Sequence, residues 1–320
     1  MNLSFRVLRY VVETADAGSV TEAAKRLNVS QPSVSTAVAQ VEAELGVQIF
    51  VRHHARGVTL SAAGQRFVNE ARLLLNHVRD FSQNAQSLGD TLRGEIVVGS
   101  FVTLAARFMP GLLSEFARQA PGISVRLEEG DQQEILEGLV SGRTEIALSY
   151  AFAVPEEIVG ERLAELPPCA ILAADHPLAR SGSVSLRDLA GDPFMLLDLP
   201  HSREYFFGLF ARCGVEPRIT FRSRSYELIR GLVGHGHGYT IHNAVPHTTI
   251  GYDGSRIAVV PLADALEPVQ IMSLRLRRHT LRPAVQRFAD FLVEAFAPGG
   301  IFEPGSIAPP RVDAVEDLRA

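Results

Sequence analysis

The sequence predicts a multidomain chain: an all-α-rich winged helix-turn-helix head with a linker helix, followed by an α/β body of two lobes. Three observations predict it. Short, well-capped helices flank a tight turn within the first 46 residues, and an apolar seam at alternating steps of four and three runs from 67 to 88. From Glu95 onward, strand-like and helix-like segments alternate, as βαβ units do. A length of 320 residues suits two or three cores, and 46% apolar with 21% charged residues is a globular composition.

In the head, Phe5, Leu8, Val12 and Ala15 recur at helical spacing and Gly18 stops the helix. A second, short helix follows, with Ser19 or Thr21 as its cap and Ala23, Ala24 and Leu27 turned inward. After the turn at 28–30, Ser30 is a suitable N-cap for a third helix with Pro32 in its first turn. Val34, Val38, Val41 and Leu45 form one apolar stripe of that helix. Its opposite face, Pro32, Thr36, Ala39, Gln40 and Ala43 flanked by Ser33 and Ser35, is small and neutral. Between Gln31 and Gly46 there is no Lys or Arg. "VQIFVRHHARGVTL" then reads as two short strands around a basic turn, a β-wing.

The seam Phe67, Ala71, Leu74, Val78, Phe81, Ala85, Leu88 predicts a coiled-coil dimer, because a long helix with one narrow apolar stripe needs a like partner. "DTLRGEI" is a polar hinge. Beyond it, the order of strands and helices predicts two α/β lobes with crossing connections. The cleft between them would lie at the carboxyl ends of the strands, where open α/β sheets bind small ligands. The expected division is a head at 1–60, a linker helix at 61–89, a hinge at 90–94, a first lobe at 95–164 and 271–298, a second lobe at 165–270, and a loose Pro/Gly-rich tail at 299–320.

"FRVLRYVVETADAGSVTEAAKRLNVSQPSVS" and "VEAELGVQIFVR" with "RGVTLSAAG" closely resemble the winged helix-turn-helix of LysR-type transcriptional regulators. "PGISVRLEEG", "LEGLVSGRTEIAL", "ADHPLA" and "GHGHGYTIHNAVP" resemble the effector domain of the same family, which is periplasmic-binding-protein-like. The resemblance runs from the N-terminus to about residue 298. It implies a ligand-responsive regulator, with double-stranded promoter DNA, a small-molecule effector and RNA polymerase as partners. It also implies a homodimer through the linker helix, or a homotetramer through the effector domains, and no cofactor.

For DNA, the residues point to a division of labour. Gln31, Pro32, Ser33, Ser35 and Thr36 would read bases, while Lys25 and Arg26 before the turn and Arg52 and Arg56 on the wing, with His53 and His54, would hold phosphates. Many family members carry Ser-Arg-Gln where this chain has Ser35-Thr36-Ala37, so one phosphate contact is expected to be missing. For the effector, matching segments point to Ser100, Thr103, Asp131, Gln132, Ser149, His201, Ser202, Arg203 and Tyr239. The turn before the first body helix offers hydroxyls and N–H groups to a carboxylate, and Arg203 could grip one bidentately. Asp131, standing where the family often has Ser or Thr, disfavours an anion at its end.

Net charge is −5, yet residues 1–88 carry nine basic and seven acidic side chains, so the head is the polyanion-facing end. No run of about 18 uncharged apolar residues suggests a membrane span. Arg6, Arg9, Glu13 and Asp16 interrupt the N-terminus where a secretory signal would be apolar, and a cytoplasmic location is expected. Cys169 and Cys213 read as inert thiols rather than a disulfide framework. His235, His237, His242 and His247 raise an alternative, a metal-responsive regulator, although Gly234, Gly236 and Gly238 suggest a loop. An enzyme is disfavoured, because no G-x-S-x-G elbow, P-loop or dinucleotide fingerprint is present. A transport binding protein fits poorly with 94 residues ahead of the body and no secretory signal.

Overall fold

The computed structural model describes residues 3–53, 57–86, 92–277 and 280–304. Helices α1 (Phe5–Ala17), α2 (Val20–Leu27) and α3 (Gln31–Leu45) form the head with strands β1 (Phe50–His53) and β2 (Gly57–Leu60). Each helix has the start its sequence supplies: the hydroxyls of Ser4, Ser19 and Ser30 accept from the N–H of Val7, Glu22 and Ser33. Gly18 and Gly46 close α1 and α3 in the left-handed conformation, at φ 61° and 66°. Val34, Val38 and Val41 of α3 are buried as the stripe predicts, and Ala37 joins them. On α1 the inward face is rotated from the expected one: Leu8 and Val11 are buried, while Phe5 is 53% exposed. Thr14 is buried with them, because its hydroxyl donates back to the Tyr10 carbonyl at 2.7 Å and leaves no polar group stranded.

β1 and β2 pair antiparallel from Phe50↔Leu60 to His53↔Gly57. A carboxylate fastens this wing to the third helix: Glu42 Oε1 accepts from the N–H of Ile49 at 2.8 Å and of Phe50 at 3.0 Å. Helix α4 (Ala62–Gln86) leaves the wing and packs its first turns on the head through Val68 and Ala71. The seam therefore divides. Ala71 is buried against its own domain, whereas Leu74 and Phe81 are 45% and 75% exposed; the side chain of Ala85, and Leu88, lie outside the described residues.

The body has two lobes. In the first, β3 (Gly94–Phe101), β4 (Ile123–Gly130), β5 (Ile146–Tyr150), β6 (Ile158–Leu166) and β12 (Val269–Leu276) lie in the order β4-β3-β5-β12-β6. Helices α5 (Val102–Gln119), α6 (Gln132–Val140) and α9 (Pro283–Phe296) cover this sheet. In the second lobe, β7 (Cys169–Ala173) is flanked by β10 (Thr240–His242) and β11 (Ile257–Pro261), and β8 (Pro193–Leu197) pairs with β9 (Arg218–Ser223). A bridge from Phe194 to Tyr239 joins β8 to β10, and helices α7 (Ser202–Cys213) and α8 (Tyr226–Gly234) complete the lobe.

The expected parallel pairing holds for β4-β3-β5 and β8-β9, but β12 is antiparallel to both β5 and β6, and β7 to both its neighbours. The reason is the connection: β12 returns from the second lobe and enters the sheet from the far side, between β5 and β6. The chain leaves the first lobe after Leu166 and re-enters at Val269, a few residues from the expected 164 and 271.

Arg282, at the start of α9, ties the first lobe together. It donates to Glu145 at 2.6 and 2.5 Å and to the Glu95 carbonyl at 3.0 Å, with both side chains of the ion pair buried. The tail is a correction to the sequence reading. Residues 299–304 are packed, with the Phe302 ring 5.0 Å from Phe108 and 5.6 Å from Phe296; only 305–320 lie outside the described residues. Among the described residues no helix is long and apolar enough to cross a membrane.

Candidate nucleic-acid interface and ligand cleft

The outward face of α3 carries Gln31, Pro32, Ser33, Thr36, Ala39 and Gln40, all exposed, with Ser35 half-buried. Ser33 is partly committed, its hydroxyl 2.7 Å from that of Ser30. Lys25 and Arg26 are exposed and lie against Glu22 (3.4 Å) and Glu13 (3.5 Å). Exposed pairs of this kind contribute about 0–1 kcal/mol, so a phosphate can displace the carboxylates at little cost. On the wing Arg52 is exposed, and His53 meets the Thr59 hydroxyl at 2.8 Å. His54 and Arg56 lie outside the described residues. The face is thus uncharged, with cations beside it.

In the body, the lobes meet at a cavity lined by Phe101, Thr103, Tyr150, Phe152, Leu197, Ser202, Tyr205, Phe206, His242, Asn243 and Ala244. Of the nine effector positions expected from sequence, Thr103 and Ser202 line it. The others have different employment. Ser149 donates to Gln132 Oε1 at 2.7 Å, and Gln132 Nε2 donates to the carbonyls of Tyr150 (3.1 Å) and Phe152 (2.8 Å). This buried pair shapes the end of β5 from behind. Asp131 caps α6 in a reciprocal box with Glu134, and its other oxygen accepts from Arg224 of the second lobe at 2.8 Å. It is a latch between lobes.

Ser100 is fully buried, its hydroxyl facing the Phe101 carbonyl. Arg203, expected to hold a carboxylate, donates instead to Asp198 at 2.5 Å, and Arg222 shares that carboxylate. His201 takes the left-handed conformation at φ 64° as it begins α7. Tyr239 is a core residue, 1% exposed and 5.2 Å from the Phe194 ring.

The sequence reading missed most of the wall, which is aromatic. Rings follow one another around it: Phe101–Tyr150 at 4.9 Å, Tyr150–Phe152 at 5.2 Å, Phe152–Tyr205 at 5.0 Å and Tyr205–Phe206 at 5.3 Å. The Phe152–Tyr205 contact joins the first lobe to the second. The available signal was the placement of aromatic residues where strands end and where α7 begins, positions that usually offer polar groups. Burial pushes the Tyr205 phenol up to about 12 and the Tyr150 and Tyr226 phenols higher, so these rings are neutral at any ordinary pH.

His242 faces the same space. Burial, and secondarily the charge of Arg230, push its pKa down to about 3, so the ring is neutral. It lies 4.3 Å from Tyr226 and is only 3% exposed. The other histidines of the suspected metal cluster do not join it: His235 meets Asp253 at 3.0 Å on the surface, and His237 is exposed. Among the described residues no group of three or more His, Cys, Asp or Glu side chains could hold a metal ion.

Comparison with known proteins agrees with this geometry. Residues 5–65 match the bacterial regulatory helix-turn-helix model of the lysR family, and residues 89–297 match the LysR substrate binding domain. HinK, a LysR family transcriptional regulator from Pseudomonas aeruginosa, is 37% identical at a TM-score of 0.61, covering 92% of this chain and 98% of its own. The hydrogen peroxide-inducible genes activator of Pectobacterium carotovorum is 29% identical over 91% of this chain and 96% of its own. Full-length CbnR, solved with its target DNA, is 28% identical at a TM-score of 0.62, covering 91% of this chain and 99% of its own. A head, a linker helix and a two-lobed body, matched over nearly their whole length, place this chain in the LysR family of transcriptional regulators.

Proposed function

We propose that the protein binds promoter DNA through the outward face of α3 with the wing beside it, and that a small molecule bound between the lobes controls this binding. The observation that carries the DNA reading is the exposed, uncharged face of α3 flanked by Lys25, Arg26 and Arg52. Phosphates supply much of the affinity for DNA and base edges most of the specificity, and here the two tasks fall to different elements. Gln31 can pair with adenine, Ser33, Ser35 and Thr36 can donate or accept, and Ala39 can meet a thymine methyl. CbnR, solved with target DNA, supports the same use of the same fold.

For the effector, Thr103 and Ser202 from opposite lobes support the cavity as the binding place, with Ser149 and Gln132 bracing the end of β5 behind it. A carboxylate effector loses support. The start of α5 has no side-chain cap and offers a partial positive charge worth about 0.3–1 kcal/mol, against several kcal/mol to bury an unpaired carboxylate. Peroxide sensing is not supported either. A reactive thiol needs a lowered pKa, whereas burial pushes Cys169 up to about 12, and burial with the charge of Asp264 raises Cys213.

The experiment is a gel shift on the DNA upstream of the protein's own gene, repeated at several salt concentrations with the wild type and Thr36→Arg. The wild type should retard this DNA with a modest salt slope. The variant should bind all sequences more tightly and steepen the logarithmic salt slope by about one for each head bound. A change of sequence preference alone would make Thr36 a base reader and overturn the division of labour. No shift at low salt would overturn the DNA reading itself.

A further inference from the structure

The cavity between the lobes has a chemistry that selects its occupant. Among the described residues, no Lys, Arg, Asp or Glu lines it. Its polar groups are mostly spent on the protein: the hydroxyls of Thr103 and Tyr150 meet at 3.1 Å, and Asn243 Nδ2 donates to the Leu166 carbonyl at 3.0 Å and to the Tyr205 hydroxyl at 2.8 Å. Among the described residues that line it, one has a buried polar atom without a partner, His242 at Nε2. Arg230 lies near that ring but is paired with Glu227, and Arg107 reaches across the lobes to the Val245 carbonyl at 3.1 Å, so among the described residues the wall offers a charged ligand of either sign no side chain to pair with.

We infer that the effector is a small uncharged aromatic molecule with one hydroxyl or ring N–H, of the phenol or indole class, stacked among the wall's rings with its polar group on Nε2 of His242. This rests on the reading of the cavity as the effector site. A neutral imidazole accepts or donates at Nε2 according to its tautomer, and a phenol satisfies either. The apolar remainder of such a ligand meets ring faces and edges, the arrangement aromatic pairs prefer.

The present cavity leaves about 20 Å³ for water, room for one molecule and none for a ring. Its wall at Phe152 and Tyr205 is also the wall of a surface groove of about 450 Å³, bounded by Gly208, Leu209 and Pro268. A ring entering from the groove must part Phe152 from Tyr205, which is to part the first lobe from the second. Ligand entry is thereby coupled to lobe placement, and Arg224 on Asp131 and Arg107 on the Val245 carbonyl are contacts that resist it.

The test uses the full chain and three probes of one ring: phenol, benzoate and protonated benzylamine. Thermal denaturation with saturating phenol should show a rise of about 5 °C, with no rise for either charged probe. In calorimetric titration His242→Phe should weaken phenol binding by about tenfold, and His242→Gln, which keeps a polar end, should recover part of it. Benzoate binding as well as phenol would overturn the class and leave the cleft reading standing. No response to phenol or to indole would also overturn it. Phenol binding unchanged in both variants would overturn the role of His242. The gel shift above reads DNA binding independently, so its outcome is separate from all of these.

Discussion

His242 shows how much one buried side chain can determine. Its neighbours, Tyr226 at 4.3 Å and Phe206 at 6.5 Å, hold it in an apolar place, and its pKa falls to about 3. The unfolded chain gains a proton on this ring near the ordinary value of about 6.5, and the folded chain does not. Between about 6.5 and about 3 the unfolded state therefore binds more protons, and stability falls as pH falls. His247, lowered by burial and by Arg107, adds to the same loss. Urea titrations followed by circular dichroism should find the wild-type body about 2 kcal/mol less stable at pH 5 than at pH 7. His242→Gln should lose most of that difference; an unchanged difference would mean that the ring is protonated in the folded protein. The sequence offered His242 only as one of four histidines at suggestive spacing. What the spacing could not show is that β10 turns this one inward while His235 stays at the surface.

At the scale of elements, the legible parts were those fixed by local chemistry. Ser19, Ser30, Gly18 and Gly46 bound helices because a cap or a left-handed residue acts on its own turn. The illegible parts depend on distant chain: Glu42 on the wing's N–H groups, Arg282 on Glu145, and an aromatic wall assembled from four separate segments. Gly64 belongs to this second kind. It sits in the first turn of α4, where any residue would satisfy the helix, but a Cβ there would lie 2.0 Å from the Ile49 carbonyl oxygen. The wing can approach α4 only over a bare Cα. Gly64→Ala should destabilise the head by about 2 kcal/mol or more, since backbone has to move on one side or the other. Proteolysis should then cut the head before the body, and the gel shift should weaken while ligand binding in the body is retained. Equal protease resistance in the two proteins would show that the approach is looser than drawn.

For the whole molecule, the question is how two heads reach one operator. The first turns of α4 are spent on their own head, and Arg72 fixes that helix further, pairing with Asp16 of α1 and donating to the Ser141 carbonyl of the first lobe at 3.1 Å. Asn69 adds a bond to the Val140 carbonyl at 2.9 Å. Linker, head and first lobe are thus in direct contact within a chain through these bonds. Farther along α4, Leu74 and Phe81 stand 45% and 75% exposed, three and a half residues to the seam step on average. Family members form oligomers, and this part of the seam is the surface such a helix would pair. Replacing both Leu74 and Phe81 by Glu places like charges from both chains in the seam and costs the single chain little, because both side chains are already exposed. Sedimentation should then show a smaller species with an unchanged melting profile. Each head would bind its half-site alone, and apparent affinity for a two-site operator should fall by about 100-fold or more as the linked second contact is lost. An oligomer that survives both substitutions would move the association to the body and leave α4 as a connector only, with heads placed by the lobes rather than by each other.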